Sequence, residues 1–408
     1  MSKSGGIATG AASAVSGLAD PDILSTLLEH IAAGSAVTRA DLARATGLAR
    51  STVSQRIDAL LANGLIVESG TAPSRGGRPA LLLRLNPEAG LILSADLGAS
   101  HAWLAVSDLG GRRLDRTDND INIDQEPEQV LGWVDRGFNE LLVKTGCEAQ
   151  QVRAIAIGVP GPVEFSAGKV VRPPLMPRWA DYPVPAYFEE RYPSAQTVVD
   201  NDVNLMALGE HRTHYQEVKH LLFVKVGTGI GCGIVIDGKL HRGAEGSAGD
   251  IGHIRLPNND AECRCGKSGC LEAVAGGGAL AERLRHLNAT TARDVAQLAA
   301  EGNLQARQAV RVAAQHIGEV LAAIVSFANP EAIILGGSLA RLNETLLAGI
   351  RSGIYDRALP LATRSLRIET SALDEDAGTI GAITLAQQRI LSPTGVAKLL
   401  GAHRFPND

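Results

Sequence analysis

Apolar and polar positions alternate in three different ways along this chain. Residues 1–19 show no periodicity; they are small and polar, and are expected to be a disordered tail. From Asp22 apolar residues recur at helical spacing, with Ile23, Leu24, Leu27, Leu28 and Ile31 forming one stripe that Gly34 ends. A second helix is predicted over Arg39–Thr46 behind a Thr38 cap, with Leu42 and Ala43 inward and Gly47 making the turn. A third is predicted over 50–63, capped near Arg50 or Ser51, with Val53, Ile57, Leu60 and Leu61 inward. Two short strands, 65–68 and 80–85, flank the segment Pro73-Ser74-Arg75-Gly76-Gly77-Arg78-Pro79. Helix, glycine turn, helix and a two-stranded flap make a winged helix-turn-helix.

Beyond Leu91 the pattern changes again. Short apolar strands now end in small-residue turns and alternate with helices. Residues 91–100 read as a strand running into a small-residue turn; further strands are predicted at 102–108, 154–158, 220–226, 232–237 and 332–335, and helices at about 127–144, from the turn at 200–204 through Glu210, within 279–328 and at 379–391. Such alternation predicts α/β layers with ligands at the strand ends.

Composition narrows the picture. Hydrophobic residues make up 45% of the 408 and aromatics only 3%, so the cores must be built from Ala, Leu, Val and Ile. A net charge of −5 excludes a generally basic nucleic-acid binder. The 22–85 segment nevertheless holds seven arginines against five carboxylates. The outward residues of its third helix are Arg50, Ser51, Thr52, Ser54, Gln55 and Arg56. These types reach phosphates and base edges in a major groove. Arg75 and Arg78, separated by Gly76 and Gly77, form a wing tip suited to the minor groove or to phosphates. The alternative is a helical cap that binds protein. The first residues lack a secretion signal, and no apolar run reaches bilayer length, so a cytoplasmic location is expected.

Candidate chemistry concentrates in four places. Cys263, Cys265 and Cys270 stand within eight residues, with His253 ten residues upstream, a complete tetrahedral set for zinc. The alternatives are reduced thiols or a disulfide. A closed four-ligand site is structural. Cys147 and Cys232 stand apart and read as buried thiols. The turns Asp96-Leu97-Gly98-Ala99-Ser100 and Gly227-Thr228-Gly229-Ile230-Gly231 can hold phosphate through freed backbone amides. Asp202, in a polar turn after an apolar strand, can accept a proton from a substrate hydroxyl, or can simply cap a helix.

Taken together, these motifs resemble the ROK family (repressors, open reading frames, kinases) in its form with an N-terminal winged helix-turn-helix. The resemblance covers nearly all of 20–392. It rests on the Arg-Gly-Gly-Arg-Pro wing, Gly158-Val159-Pro160-Gly161-Pro162, Asn201-Asp202, the 227–231 turn, Gly249-Asp250-Ile251-Gly252-His253, and the cysteine stretch ending at Glu272. It implies a two-lobed, actin-like sugar-kinase fold, with the sugar in the cleft. The domains expected are a head at 20–88, lobe 1 at 89–200 completed by the 379–392 helix, lobe 2 at 201–378 with the zinc loop, and a C-terminal tail at 393–408.

By position the resemblance makes Asn201, Asp202, Asp250, His253 and Glu272 the sugar ligands, with His253 also on zinc and Asp202 the base if the protein is a kinase. Asp250 stands where the kinases usually carry Glu. Nucleotide contacts, again only for a kinase, would be Gly98, Ser100, Thr228, Gly229, Gly336 and Gly337. Ala99 departs from the kinases' second glycine, which favours weak or absent kinase activity. The function expected is a sugar-responsive regulator, foremost a repressor of carbohydrate genes, with structural zinc, an operator DNA partner, a sugar effector and a homodimer or homotetramer. The alternative is an ATP- and Mg2+-dependent hexose kinase that kept a DNA-binding head.

Overall fold

Asp20 starts the head. Its carboxylate accepts the N–H groups of Asp22 and Ile23, and so caps α1 (Pro21–Ala33). Gly34, at φ +68°, closes that helix in the left-handed region. Thr38 caps α2 (Arg39–Thr46), and Gly47 ends it the same way. The third helix, α3 (Arg50–Ala62), departs from expectation at its start. Its cap is Ala49, and no side chain bonds there. β1 (Ile66–Thr71) pairs antiparallel with β2 (Leu81–Leu85) to form the wing, with a bulge between Glu68 and Thr71. The structure is a computed structural model that describes residues 20–72, 79–340 and 344–402. The expected N-terminal tail and the wing-tip residues Arg75, Gly76, Gly77 and Arg78 lie outside the described residues.

Two five-stranded sheets follow, built to one plan. In lobe 1 the strands are β3 (Leu91–Leu97), β4 (His101–Asp108), β5 (Arg113–Asp120), β6 (Val152–Val159) and, after the small hairpin β7 (Val163–Glu164) and β8 (Lys169–Val170), β9 (Gln196–Asn201). Their order is β5-β4-β3-β6-β9. Lobe 2 repeats it as β12-β11-β10-β13-β14, from β10 (Leu221–Val226), β11 (Ile230–Ile236), β12 (Lys239–Leu240), β13 (Ala332–Gly336) and β14 (Arg367–Thr370). In each lobe an antiparallel meander is extended by two parallel strands. The ends of the central strands of both sheets therefore open into one cleft.

Helices cover the sheets. In lobe 1 these are α4 (Pro127–Thr145) and α5 (Val184–Glu189). At the junction, α6 (Asp202–His214) lies on the lobe 2 strands β10 and β11. Lobe 2 adds α7 (Leu271–Ala275), α8 (Gly277–Arg283), α9 (Ala292–Ala300), α10 (Leu304–Ala328), α11 (Glu344–Tyr355) and α12 (Pro360–Thr363). Then α13 (Asp376–Leu391) returns to lobe 1, against β3, β6 and β9, and packs tightly on α6. A Cβ on Gly381 would lie 1.7 Å from the Leu205 carbonyl oxygen, so the two lobes meet where helices cross on glycine. By length and composition α10 is apolar enough to cross a bilayer. Here it is the core helix of lobe 2, with Val310, Ala314, Ile317, Leu321 and Val325 buried.

One expectation fails outright. The supposed C-terminal tail forms α14 (Pro393–Ala402), which buries Val396, Leu399 and Leu400 against the head. Proline at a first helical turn has no N–H to lose, so Pro393 can start the helix. Of the two isolated thiols, Cys232 is buried, but Cys147 is only half-buried.

Candidate functional site

Asn201 and Asp202 sit where β9 ends and α6 begins. Asn201 is the helix cap: its Oδ1 accepts the Val203 N–H at 2.9 Å, and its Nδ2 donates to the Gly161 carbonyl at 3.0 Å. The capping role considered for Asp202 therefore belongs to its neighbour. Asp202 is only 3% exposed, with one oxygen accepting the Val203 N–H and the other paired with the ammonium of Lys225. Beside them Asp96, at the end of β3, is buried with an oxygen that has no hydrogen-bond partner. Burial raises its pKa to about 7; Lys225 opposes the shift and Asp202 adds to it.

These groups line a cleft of about 240 Å3 that also receives Asp250, His253 and Glu272. Gly249 brings the Asp250–His253 turn in close: its φ is +94°, and a Cβ would lie 1.7 Å from the Cys232 carbonyl oxygen. Asp250 is half exposed and reaches His253 Nε2 at 3.9 Å. Glu272 opens α7 and accepts the Ile230 N–H at 3.1 Å. Burial holds its carboxyl above the usual range, against the pull of that hydrogen bond. All five expected sugar ligands thus face one space.

The other ring nitrogen of His253 faces the cysteines. Nδ1 lies 3.6 Å from Cys263 Sγ, and Cys265 Sγ lies 3.7 Å from Cys270 Sγ. All four ligand atoms fall within 4.8 Å of one another. A tetrahedron with zinc–sulfur and zinc–nitrogen bonds of ordinary length has S–S edges of about 3.8 Å and S–N edges of about 3.6 Å. The set therefore fits zinc. Gly266 and Gly269, both at positive φ, make the turns that return Cys270 to the cluster.

The glycine turns have a packing role. A Cβ on Gly229 would lie 2.3 Å from Glu272 Oε2, so this glycine makes room for the carboxylate. Gly337 presses on the Val226 backbone and Gly336 on the Phe223 ring. Gly98, Ser100, Thr228, Gly229 and Gly337 line the cleft, whereas Gly336 is behind it.

On the head, Arg50, Ser51 and Gln55 are exposed, and Thr52, Ser54 and Arg56 are half-buried, while Val53, Ile57 and Leu60 are buried beneath them. The uncapped start of α3 leaves first-turn amides beside Arg50, a favourable end for a phosphate.

A sequence model described as the ROK family matches residues 92–389, and one described as the MarR family matches 22–76. The chain belongs to the ROK family. Among similar proteins, the "putative xylose repressor" of Caldicellulosiruptor sp. (strain Rt8B.4) is 30% identical over 386 residues, covering 91% of this chain and 95% of that protein. The crystal structure of a ROK family transcriptional regulator, a homolog of the E. coli MLC protein, superposes with a TM-score of 0.79 at 26% identity, covering 93% of this chain and 99% of that one. A ROK family glucokinase from Streptomyces griseus, in complex with glucose and AMPPNP, gives 0.65 at 27% identity, covering 73% and 100%. The kinase likeness covers less of this chain than the regulator likeness does. The winged head and sugar-kinase-like fold expected from sequence are thereby both supported.

Two site residues escaped the sequence reading. Lys225 is the single charge in the apolar strand Leu221–Val226, and that interruption was its only signal. Arg242 pairs with buried Asp200 at 2.6 Å and lies 3.8 Å over the Phe165 ring, so lobe 2 holds the end of β9. No local pattern announces a partner 42 residues away.

Proposed function

We infer that this ROK protein is a sugar-responsive transcriptional regulator, a repressor of carbohydrate genes whose head binds operator DNA and whose cleft takes a sugar. One observation carries the reading: head and cleft share structural members. Leu24, Leu27, Leu28 and Ile31 of α1 belong to one continuous core with Leu205 and Leu208 of α6 and Ile383, Ile390 and Leu391 of α13. Helix α6 carries Asp202 at one end, in the cleft, and Arg212 at the other, where its guanidinium donates to the Ala32 carbonyl of α1 at 2.9 Å. A sugar that closes the cleft moves the frame on which the head is seated. It shifts the population toward one head arrangement, to the extent that the two arrangements bind sugar differently.

In this reading Asn201, Asp202, Asp250 and Glu272 receive sugar hydroxyls, and His253 offers Nε2 to the sugar. The His253–Cys263–Cys265–Cys270 set holds zinc, which fixes the ring through Nδ1. A homodimer places two α3 helices on a palindromic operator, with half-sites about one helical turn apart. The protein acts in the cytoplasm and without catalysis.

The test is operator binding by fluorescence anisotropy, using the promoter region of its own gene and a sugar panel that includes xylose, glucose and N-acetylglucosamine. Binding to the duplex, with at least one sugar weakening it ten-fold or more, is the expected result. Absence of binding to that region refutes the repressor, and indifference to every sugar refutes the sensor.

A further inference from the structure

The ROK fold carries kinases as well as regulators, and phosphoryl transfer from ATP needs a divalent cation to bridge the phosphates and a carboxylate free to take the hydroxyl proton. Asp96 and Asp202 are two buried carboxylates that line this cleft. They stand on either side of Gly158, where an added Cβ would lie 3.3 Å from Asp96 Oδ1 and 3.5 Å from the Asp202 Cα. Two buried carboxylates around one small space are what a divalent cation requires.

That space already contains a cation. Lys225 extends from β10 beneath the glycine turn, its Cε 3.6 Å from where a Gly227 Cβ would be. Its ammonium pairs with Asp202 and lies in the field of Asp96; burial works against the charge, but the two carboxylates outweigh it and hold the amine protonated. Both Asp202 oxygens are engaged, by the Val203 N–H and by Lys225. Below about pH 7 Asp96 keeps its proton and the Lys225 ammonium cancels the Asp202 carboxylate; above it Asp96 ionises and adds to the field that holds the ammonium. A divalent ion entering here would meet a fixed positive charge at contact distance.

We propose that Lys225 is a built-in counter-ion occupying the divalent-cation position between Asp96 and Asp202, so that the cleft accepts a sugar but does not bind the metal needed to phosphorylate it. The Mg·ATP of the kinases therefore does not fit the residues present. The proposal rests on the sugar-cleft reading above, and it makes Lys225, rather than the glycine turns, the residue that separates sensor from kinase.

The test uses the zinc-loaded full-length protein and Mn2+ as the probe, followed by its electron paramagnetic resonance signal. The wild type is expected to bind no Mn2+ in this cleft below millimolar concentration. Lys225→Met is expected to bind it at least ten-fold more tightly, and Asp96→Asn added to Lys225→Met to abolish the gain. Equal Mn2+ affinity in wild type and Lys225→Met overturns the proposal. Should Lys225→Met fail to fold, the unaltered protein decides: sub-millimolar Mn2+ binding removed by Asp96→Asn, or sugar phosphorylation with Mg·ATP, overturns the proposal, and neither being seen supports it. Operator release by sugar is measured separately. A protein that gains Mn2+ in Lys225→Met but ignores every sugar refutes the sensor reading while leaving the counter-ion in place.

Discussion

Burial leaves Asp96 with a carboxyl that keeps its proton to about pH 7, since Lys225 offsets only part of the desolvation. A carboxyl with a folded-state pKa above its unfolded value of 3.8 binds the proton more tightly when folded. That contribution to stability is complete below about pH 4 and is lost as pH rises through 7. At 1.36 kcal/mol per unit, the loss approaches about 4 kcal/mol at most. Asp96→Asn mimics the protonated form at every pH. Urea midpoints at pH 5 and pH 8 should therefore show the variant gaining on the wild type as pH rises. A constant difference between the two would show that Asp96 is ionised throughout. At this scale the sequence was legible wherever chemistry is local in the chain: three cysteines in eight residues and a histidine ten upstream meet as their spacing demands. It was not legible where a charge finds its partner through the fold, as Lys225 finds Asp202 and Arg242 finds Asp200. The His253–Cys263–Cys265–Cys270 set, on the proposal that it holds zinc, also supports a prediction. Cys263→Ser should lose zinc and weaken sugar affinity about ten-fold or more, because the released His253 ring loses its orientation. Metal content by mass spectrometry and a sugar titration would check both, and full sugar affinity without zinc would uncouple the two sites.

Among the elements, α6 has the largest consequences. Its first residue lies in the cleft and Arg212, ten positions on, reaches the last turn of α1. A helix of this length is stiff, so tilting one end displaces the other. Arg212→Ala is expected to keep sugar binding, seen as a thermal shift, and to keep operator binding without sugar, yet to reduce the sugar-induced loss of operator affinity several-fold. An unchanged response would mean that the signal travels through α13 instead. The helices of the head could be read from sequence because their ends are set locally, by Thr38, Gly34 and Gly47. Helix α14 could not. The segment from 393 is expected as a tail, and the apolar residues Val396, Leu399 and Leu400 gain meaning only from the head they cover.

For the molecule as a whole, the shared core makes the head and lobe 1 one cooperative body, although the sequence reads them as separate domains. Ser25, buried on α1, donates to the Leu391 carbonyl at the end of α13, 366 residues away. Neither partner has water to fall back on, so Ser25→Ala should cost about 1–2 kcal/mol. The cost should appear in both parts at once. Hydrogen exchange followed by mass spectrometry is expected to show the amides of α1, α13 and α14 losing protection together in that variant, while the lobe 2 core around α10 keeps its own. Loss confined to α1 would mean that the head opens independently. A head fused in this way cannot move by swinging on a linker. It can respond to sugar only by following lobe 1 as the two lobes close about the glycine crossing of α6 and α13. Sugar should therefore raise or lower protection at the crossing and in α1 together, in the same experiment and at the same concentration.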